Sequence, residues 1–288
     1  MRPVLRPGSP LLRRDAGHLQ LGTEPGHALV LDPADPLADL LRALDGVRQA
    51  DDPTLDASMV RALHAAGVVV DSDVWRAETG LEHEAAHLLA RGVAADAVHE
   101  HLARRRAAEV AILGDTALAA PLAALLEASG VKRIVPGPSP TAELDLAVIA
   151  VEGEAARELG DECLRADVPH LVVALRDACG VIGPLVLPGR TACLRCIDTE
   201  RSAVDAAWPA ILAQLPRPLS TTSDSLVRAV SAVLETAVAV LAVRDALAHL
   251  AGEPALTHNA TVRIGADLSR LRRQRWSLQD RCGCALLG

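Results

Sequence analysis

The spacing of apolar positions changes along the chain and divides it into three stretches. In residues 1–75, short apolar runs at Leu11–Leu12, Leu19–Leu21 and Ala28–Leu31 are separated by Gly and Pro, which reads as strands joined by turns. Leu37, Leu40, Leu41 and Leu44 then fall at helical spacing and end near Gly46. A second helix is predicted from Asp56, with Met59, Val60 and Leu63 on one face, ending at Gly67 before a strand at Val68–Val70. Small strands, two helices and a closing strand make a winged-helix-like pattern. Residues 76–108 read as one or two polar helices that connect this module to the next. From residue 109 the pattern becomes one of apolar strands alternating with helices. Val110–Leu113, Val131–Val135, Leu144–Val151 and Leu171–Ala174 are strand candidates, and Pro121–Ser129 is a helix ending at Gly130. Alternation of this kind implies an α/β fold with parallel pairing. A Pro-interrupted loop, 215–222, precedes a helix capped by Ser223 or Asp224 and running to about Ala251, and residues 260–276 alternate like a hairpin.

Composition narrows the function classes. The chain carries 29 basic and 37 acidic residues, a formal charge of −8, which argues against a nucleic-acid clamp held by general positive charge. Only three aromatic residues, all Trp, are present, so base-stacking platforms are excluded as well. The start, MRPVLRPGSPLLRR, lacks the continuous apolar core of a signal peptide. The most apolar stretch, Ala229–Val243, contains Glu235 between Arg228 and Arg244 and reads as a buried helix, not a membrane span. A soluble, cytoplasmic protein is expected. Arg2, Arg6, Arg13 and Arg14 form a local basic patch, which keeps a DNA-binding winged helix as a minor alternative.

Six cysteines in such a chain do not suggest a disulfide scaffold, and their spacing matters more than their number. Cys193-Leu-Arg-Cys196 is a C-x-x-C, and Cys282-Gly-Cys284 supplies two further thiols near the end of the sequence. Four thiolates satisfy tetrahedral zinc in a closed, structural site. The alternatives are four unrelated thiols or a redox pair. A thioredoxin-like motif would follow a strand and open a helix, whereas Pro188-Gly189 before Cys193 predicts a loop. Cys163 and Cys179 lack paired spacing and read as buried apolar residues. His83-Glu84-Ala-Ala-His87 matches H-E-x-x-H, which on a helix would offer two metal ligands and a general base. The continuation lacks the Gly and third His of one large protease class, and Glu100 or Glu109 would have to serve as third ligand. A solvated helix is the favoured reading, with a zinc metalloprotease as an alternative.

The run Gly180-Val-Ile-Gly-Pro-Leu-Val-Leu-Pro-Gly-Arg-Thr-Ala-Cys193-Leu-Arg-Cys196, with Trp208-Pro209 and Trp276…Cys282-Gly-Cys284 downstream, resembles the ThiF-like, ubiquitin-activating-type superfamily. The match is closest to the actinobacterial branch linked to thiazole/oxazole-modified microcins. The resemblance implies a winged-helix-like peptide clamp at 1–75, a helical connector at 76–108, and a Rossmann-type, mainly parallel sheet domain at 109–288 holding a four-cysteine zinc site. It also implies a homodimer, and partners in the form of a precursor leader peptide and a cyclodehydratase-type enzyme. Apolar pockets near Val30, Leu31, Met59 and Leu63 would select the peptide, although each of the four equally suits an ordinary core.

Catalytic members of the superfamily bind ATP at a glycine-rich turn after the first strand of the sheet. Here that turn reads Gly114-Asp115-Thr116-Ala-Leu-Ala, and only the first glycine of the pattern survives. No acid follows the second strand, where Pro136-Gly-Pro-Ser-Pro140 stands, and the only lysine, Lys132, comes too early to serve the phosphates. Asp145 more plainly begins a strand than holds a nucleotide. The expectation is a non-catalytic protein with a vestigial nucleotide loop, Gly114, Asp115 and Thr116, and no catalytic residues. An active adenylyltransferase is the alternative.

Overall fold

The structure, a computed structural model, describes the chain except for residues 16, 25–27, 33, 115, 138, 139, 142, 155, 156, 215–229, 287 and 288. It divides into two compact units, Met1–Ala103 and Arg104–Gly288.

The first unit contains β1 (Pro3–Leu5), β2 (Leu11–Arg13), β3 (Leu19–Leu21), β4 (Leu29–Leu31), α1 (Pro36–Ala43), α2 (Ala57–Ala65) and β5 (Val69–Asp71). It continues through α3 (Asp73–Arg76), α4 (Glu82–Ala90) and α5 (Ala95–Ala107), the last of which crosses the boundary. Strands β2, β3 and β4 form an antiparallel sheet in that order, and β1 pairs with β5. Helices α1 and α2 each start where an aspartate accepts from the free N–H groups of the first turn. Asp35 accepts from Leu37 at 2.8 Å, and Asp56 from Ser58 and Met59 at 2.9 and 3.0 Å. Leu19, Leu31, Leu40, Leu41 and Val60 form the unit's core. The helices of the 76–108 stretch do not stand apart. Leu81, Ala85, Leu88, Leu89, Val98 and Leu102 share one buried cluster with Val70 of β5.

The second unit is a seven-stranded sheet with helices on both faces. Its elements are β6 (Glu109–Leu113), α6 (Ala119–Ala128), β7 (Arg133–Pro136), β8 (Leu146–Glu152), α7 (Arg157–Arg165), β9 (His170–Arg176), β10 (Cys179–Val186), α8 (Leu194–Val204), α9 (Trp208–Gln214), α10 (Ala232–Leu250), β11 (Ala260–Gly265) and β12 (Leu271–Arg275). The strand order is β12-β11-β10-β9-β8-β6-β7. Pairs β7–β6, β6–β8 and β8–β9 are parallel, and the three that follow are antiparallel. Five of the seven strands therefore run the same way, a mostly parallel Rossmann-like sheet. Alternation along the strands feeds two cores. Leu146, Val148 and Ala150 face α6 and α10, whereas Ala147, Ile149 and Val151 face α7 and the start of α8. Small residues let helix and sheet approach: a Cβ on Gly180 of β10 would lie 2.0 Å from Cγ2 of Val238 on α10.

The predicted loop 215–222 and its caps Ser223 and Asp224 lie outside the described residues. Helix α10 is described from Ala232, where Ser231 Oγ accepts from Leu234 N–H at 3.2 Å. Among the described residues no helix is long and apolar enough to cross a membrane.

Candidate functional site

Two sequence-distant cysteine pairs meet in the second unit. Strand β10 delivers the chain to a turn that Thr191 closes, its Oγ accepting from Leu187 N–H at 2.7 Å. Asn259 anchors the next residue by accepting from Ala192 N–H at 2.8 Å. Cys193 then caps α8, and Cys196 lies in its first turn. The C-x-x-C does therefore open a helix, contrary to the loop expected from Pro188-Gly189; those residues turn the chain one step earlier. The final segment returns along α8. Trp276 is buried against Cys193, Cys196, Leu164, Val186 and Ile197. Glu200 accepts from Ser277 N–H at 2.6 Å and from the Gln279 amide at 3.3 Å. A short 3-10 turn, Gly283–Leu286, carries Cys284 inward.

The result is one cluster of four sulfurs, all within 4.8 Å of one another. Cys193 Sγ lies 3.8 Å from Cys196 Sγ and 3.7 Å from Cys282 Sγ, and Cys196 Sγ lies 3.5 Å from Cys284 Sγ. Gln279 N–H points at Cys196 Sγ at 3.4 Å. Three of the four are buried, and only Cys282 keeps some access to solvent. Burial pushes the Cys193 thiol up to about 12 and the Cys284 thiol higher still. At Cys282 burial acts the same way, but hydrogen bonds from Cys284 N–H and the adjacent thiols outweigh it and leave that thiol below its usual value. Without a cation, four such neighbours cannot all ionise. With one, they are a complete donor set, and the cluster could hold a metal ion. Cys163 and Cys179 stand apart as buried thiols.

A second constellation lies at the carboxyl ends of β8 and β9, the edge of a doubly wound sheet where ligands usually bind. Glu154 accepts from Arg157 at 3.2 Å, from Arg201 at 3.5 Å, and pairs with Arg176. Asp198 of α8 receives Arg157 in a two-pronged contact at 2.7 and 3.0 Å and the Trp208 indole N–H at 3.0 Å. The Arg201 guanidinium stacks 4.6 Å above the Trp208 ring. Burial, and then the neighbouring arginines, lower the pKa of both Arg176 and Arg201. The cavity beside them measures about 30 Å³, room for one water. Sequence reading misses this network, because its members are spread from residue 154 to residue 208.

The remaining predicted residues fall as follows. Gly114 takes φ +107°, and a Cβ there would sit 2.1 Å from the Ala150 carbonyl oxygen, so the turn requires glycine. Asp115 lies outside the described residues. The buried Thr116 hydroxyl has no hydrogen-bond partner among the described residues. Asp145 accepts from Glu109 N–H at 2.8 Å just before β8, at the opposite strand end from Gly114. In the first unit Leu31 is core, Met59 and Leu63 are partly buried against that core, and Val30 is exposed. His83 and His87 are exposed on α4, and among the described residues the four-cysteine cluster is the only grouping of three or more metal-ligand side chains. Glu109 pairs with Arg133 at 2.5 Å.

Neither the family models nor the curated proteins give a match. Solved structures do. The heterocyclase TruD is similar at 16% identity and a TM-score of 0.70, with 99% of this chain covering 42% of that one. The microcin C7 biosynthetic enzyme MccB in complex with N-formylated MccA is similar at 14% identity and a TM-score of 0.67, over 99% of this chain and 100% of that chain. E. coli MccB with AMPCPP and MccA gives 15% and 0.65, over 99% of both chains. The fold is ThiF-like. In that ThiF-like sheet the four cysteines tie the final segment to α8, and the arginine–carboxylate network closes the carboxyl edge.

Proposed function

We propose that the chain is a non-catalytic, zinc-containing ThiF-like protein that binds a peptide through its first unit and presents it to a partner enzyme in the maturation of a ribosomally made precursor. One observation carries the peptide reading. Strand β4 has no partner on its outer edge among the described residues, and it exposes Leu29 and Val30 (48% and 44%) there. An extended leader segment can continue the β2-β3-β4 sheet by main-chain hydrogen bonds, with Leu29 and Val30 selecting apolar side chains. The first unit then serves as a winged-helix-like clamp. The similar MccB structures include complexes with MccA, which agrees with a peptide partner, and the similarity to the heterocyclase TruD agrees with a heterocycle-forming pathway.

The cysteine cluster supports zinc in a structural role. Four sulfurs bonded to one zinc at about 2.3 Å stand about 3.8 Å apart; three of the six separations, at 3.5–3.8 Å, match this, and all lie within 4.8 Å. Zinc there would supply charge for four thiolates and no open position for chemistry. The carboxyl edge of the sheet supports the absence of nucleotide chemistry, since Glu154 and Asp198 are engaged by arginines rather than turned outward. A homodimer through the outward face of α10, where Val233 and Val240 are exposed, belongs to the same reading.

The test is fluorescence anisotropy of labelled leader peptides from candidate precursors on the full chain. Saturable binding that weakens about tenfold in Leu29→Asp/Val30→Asp, with unchanged circular dichroism, supports the clamp. Equal binding by the variant rejects it.

A further inference from the structure

Strand β12 closes one side of the seven-stranded sheet, and among the described residues nothing pairs with its outer edge. Its sequence, with the residue before it, is Arg270-Leu-Arg-Arg-Gln-Arg275, and every residue is exposed. Arg263 of β11 stands directly opposite Arg272. Like charges facing each other across strands destabilise a sheet, so this arrangement is not explained by the fold's own stability. Arg263, Arg270, Arg272 and Arg275 make no ion pair among the described residues, in a chain whose net charge is −8. The nearest turn acid, Asp267, is engaged by Ser269, whose N–H and hydroxyl it accepts at 3.2 and 2.7 Å. Arg273 donates to the Leu256 carbonyl at 2.7 Å, and Leu256, Leu268 and Leu271 are exposed around the arginines.

We propose that β12 is a docking edge for an acidic, extended segment of a partner protein, separate from the peptide-binding edge of β4. The open main-chain groups of β12 would pair with the incoming strand. Alternation sends Arg272 to one face and Arg273 and Arg275 to the other, so acidic side chains on either face of the guest meet a guanidinium. The exposed leucines favour a polypeptide over a phosphate backbone, and arginine beside aliphatic groups is a common interface composition. A second copy of the chain does not fit, because edge-to-edge pairing would set arginine against arginine.

The experiment uses the full chain and four fluorescent probes: (Glu-Val)4, (Lys-Val)4, a (Glu-Val)4 analogue with two central prolines, and an eight-nucleotide single-stranded DNA. Anisotropy should report saturable binding of (Glu-Val)4, about tenfold weaker binding of the proline analogue, and none of (Lys-Val)4. Arg270→Ser/Arg272→Ser/Arg275→Ser should weaken (Glu-Val)4 binding about tenfold, and the corresponding triple Lys variant should restore part of it. The proposal is overturned by no binding up to about 1 mM, by DNA binding as tightly as the peptide, or by indifference to the prolines. It also falls if the Ser variant only self-associates while its peptide affinity stays unchanged, since the arginines would then merely guard the edge.

Discussion

Removing the zinc proposed for the four-cysteine cluster should release the final segment of the chain while leaving the sheet folded. Ordering Trp276–Cys284 costs on the order of 13 kcal/mol at about 1.5 kcal/mol per residue. Burial of Trp276, at about 25 cal/mol per Å² over roughly 200 Å², returns about 5 kcal/mol. The hydrogen bonds to Glu200 add on the order of 1 kcal/mol each. What is missing is several kcal/mol, and a structural zinc site contributes about 10 kcal/mol or more. With zinc bound as proposed the segment is held, and without it the segment is released. Hydrogen exchange read by mass spectrometry, before and after treatment with a strong chelator, measures this directly. Amides of residues 276–284 should lose protection, Trp276 fluorescence should shift to the red, and β8 and β9 should stay protected. Unchanged protection in a sample shown to be metal-free would refute the reasoning.

Other outcomes follow from the same structure. Asp198→Ala leaves the Arg157 guanidinium and the Trp208 indole N–H without their acceptor and should cost about 2–3 kcal/mol in urea denaturation; a change within about 0.5 kcal/mol would contradict the network's role. Gly114→Ala forces a Cβ against the Ala150 carbonyl at positive φ and should destabilise by at least about 2 kcal/mol, seen as a lower Tm. His170 is fully buried, with Nδ1 3.1 Å from the Val168 carbonyl, and burial lowers its pKa to about 4 from 6.5. The unfolded chain then takes up a proton below pH 6.5 that the folded chain refuses until about pH 4. This group's contribution is intact at neutral pH and falls by about 2 kcal/mol between pH 7 and pH 5. Denaturation of wild type and His170→Leu at both pH values isolates it; equal acid sensitivity in the two would count against the assignment.

Several parts of the fold were legible from periodicity and punctuation. The leucine spacing before Gly46 marked α1, Asp56 and Gly67 marked α2, and unbroken apolar runs marked β6, β8 and β9. Strand β10 was hidden because Gly180, Gly183 and Pro184 look like loop residues. Their reason lies in tertiary packing, where Gly180 admits Val238 of α10 and a Cβ on Gly183 would lie 2.5 Å from the Ala260 carbonyl oxygen. The cysteine set could be paired from spacing, but its burial could not, since that depends on Trp276 folding back over α8. The Glu154–Arg157–Arg176–Asp198–Arg201 network is assembled by the β8–β9 register and the docking of α8, which no local pattern encodes.

The central claim is that this ThiF-like sheet no longer performs nucleotide chemistry and serves a peptide-presenting protein. Pyrophosphate exchange into ATP, measured on the zinc-loaded full chain with candidate precursor peptides that bind it, tests that claim most directly. The account predicts exchange at the level of a no-enzyme control with every such peptide. Exchange above that level, dependent on both the peptide and Mg-ATP, would contradict it.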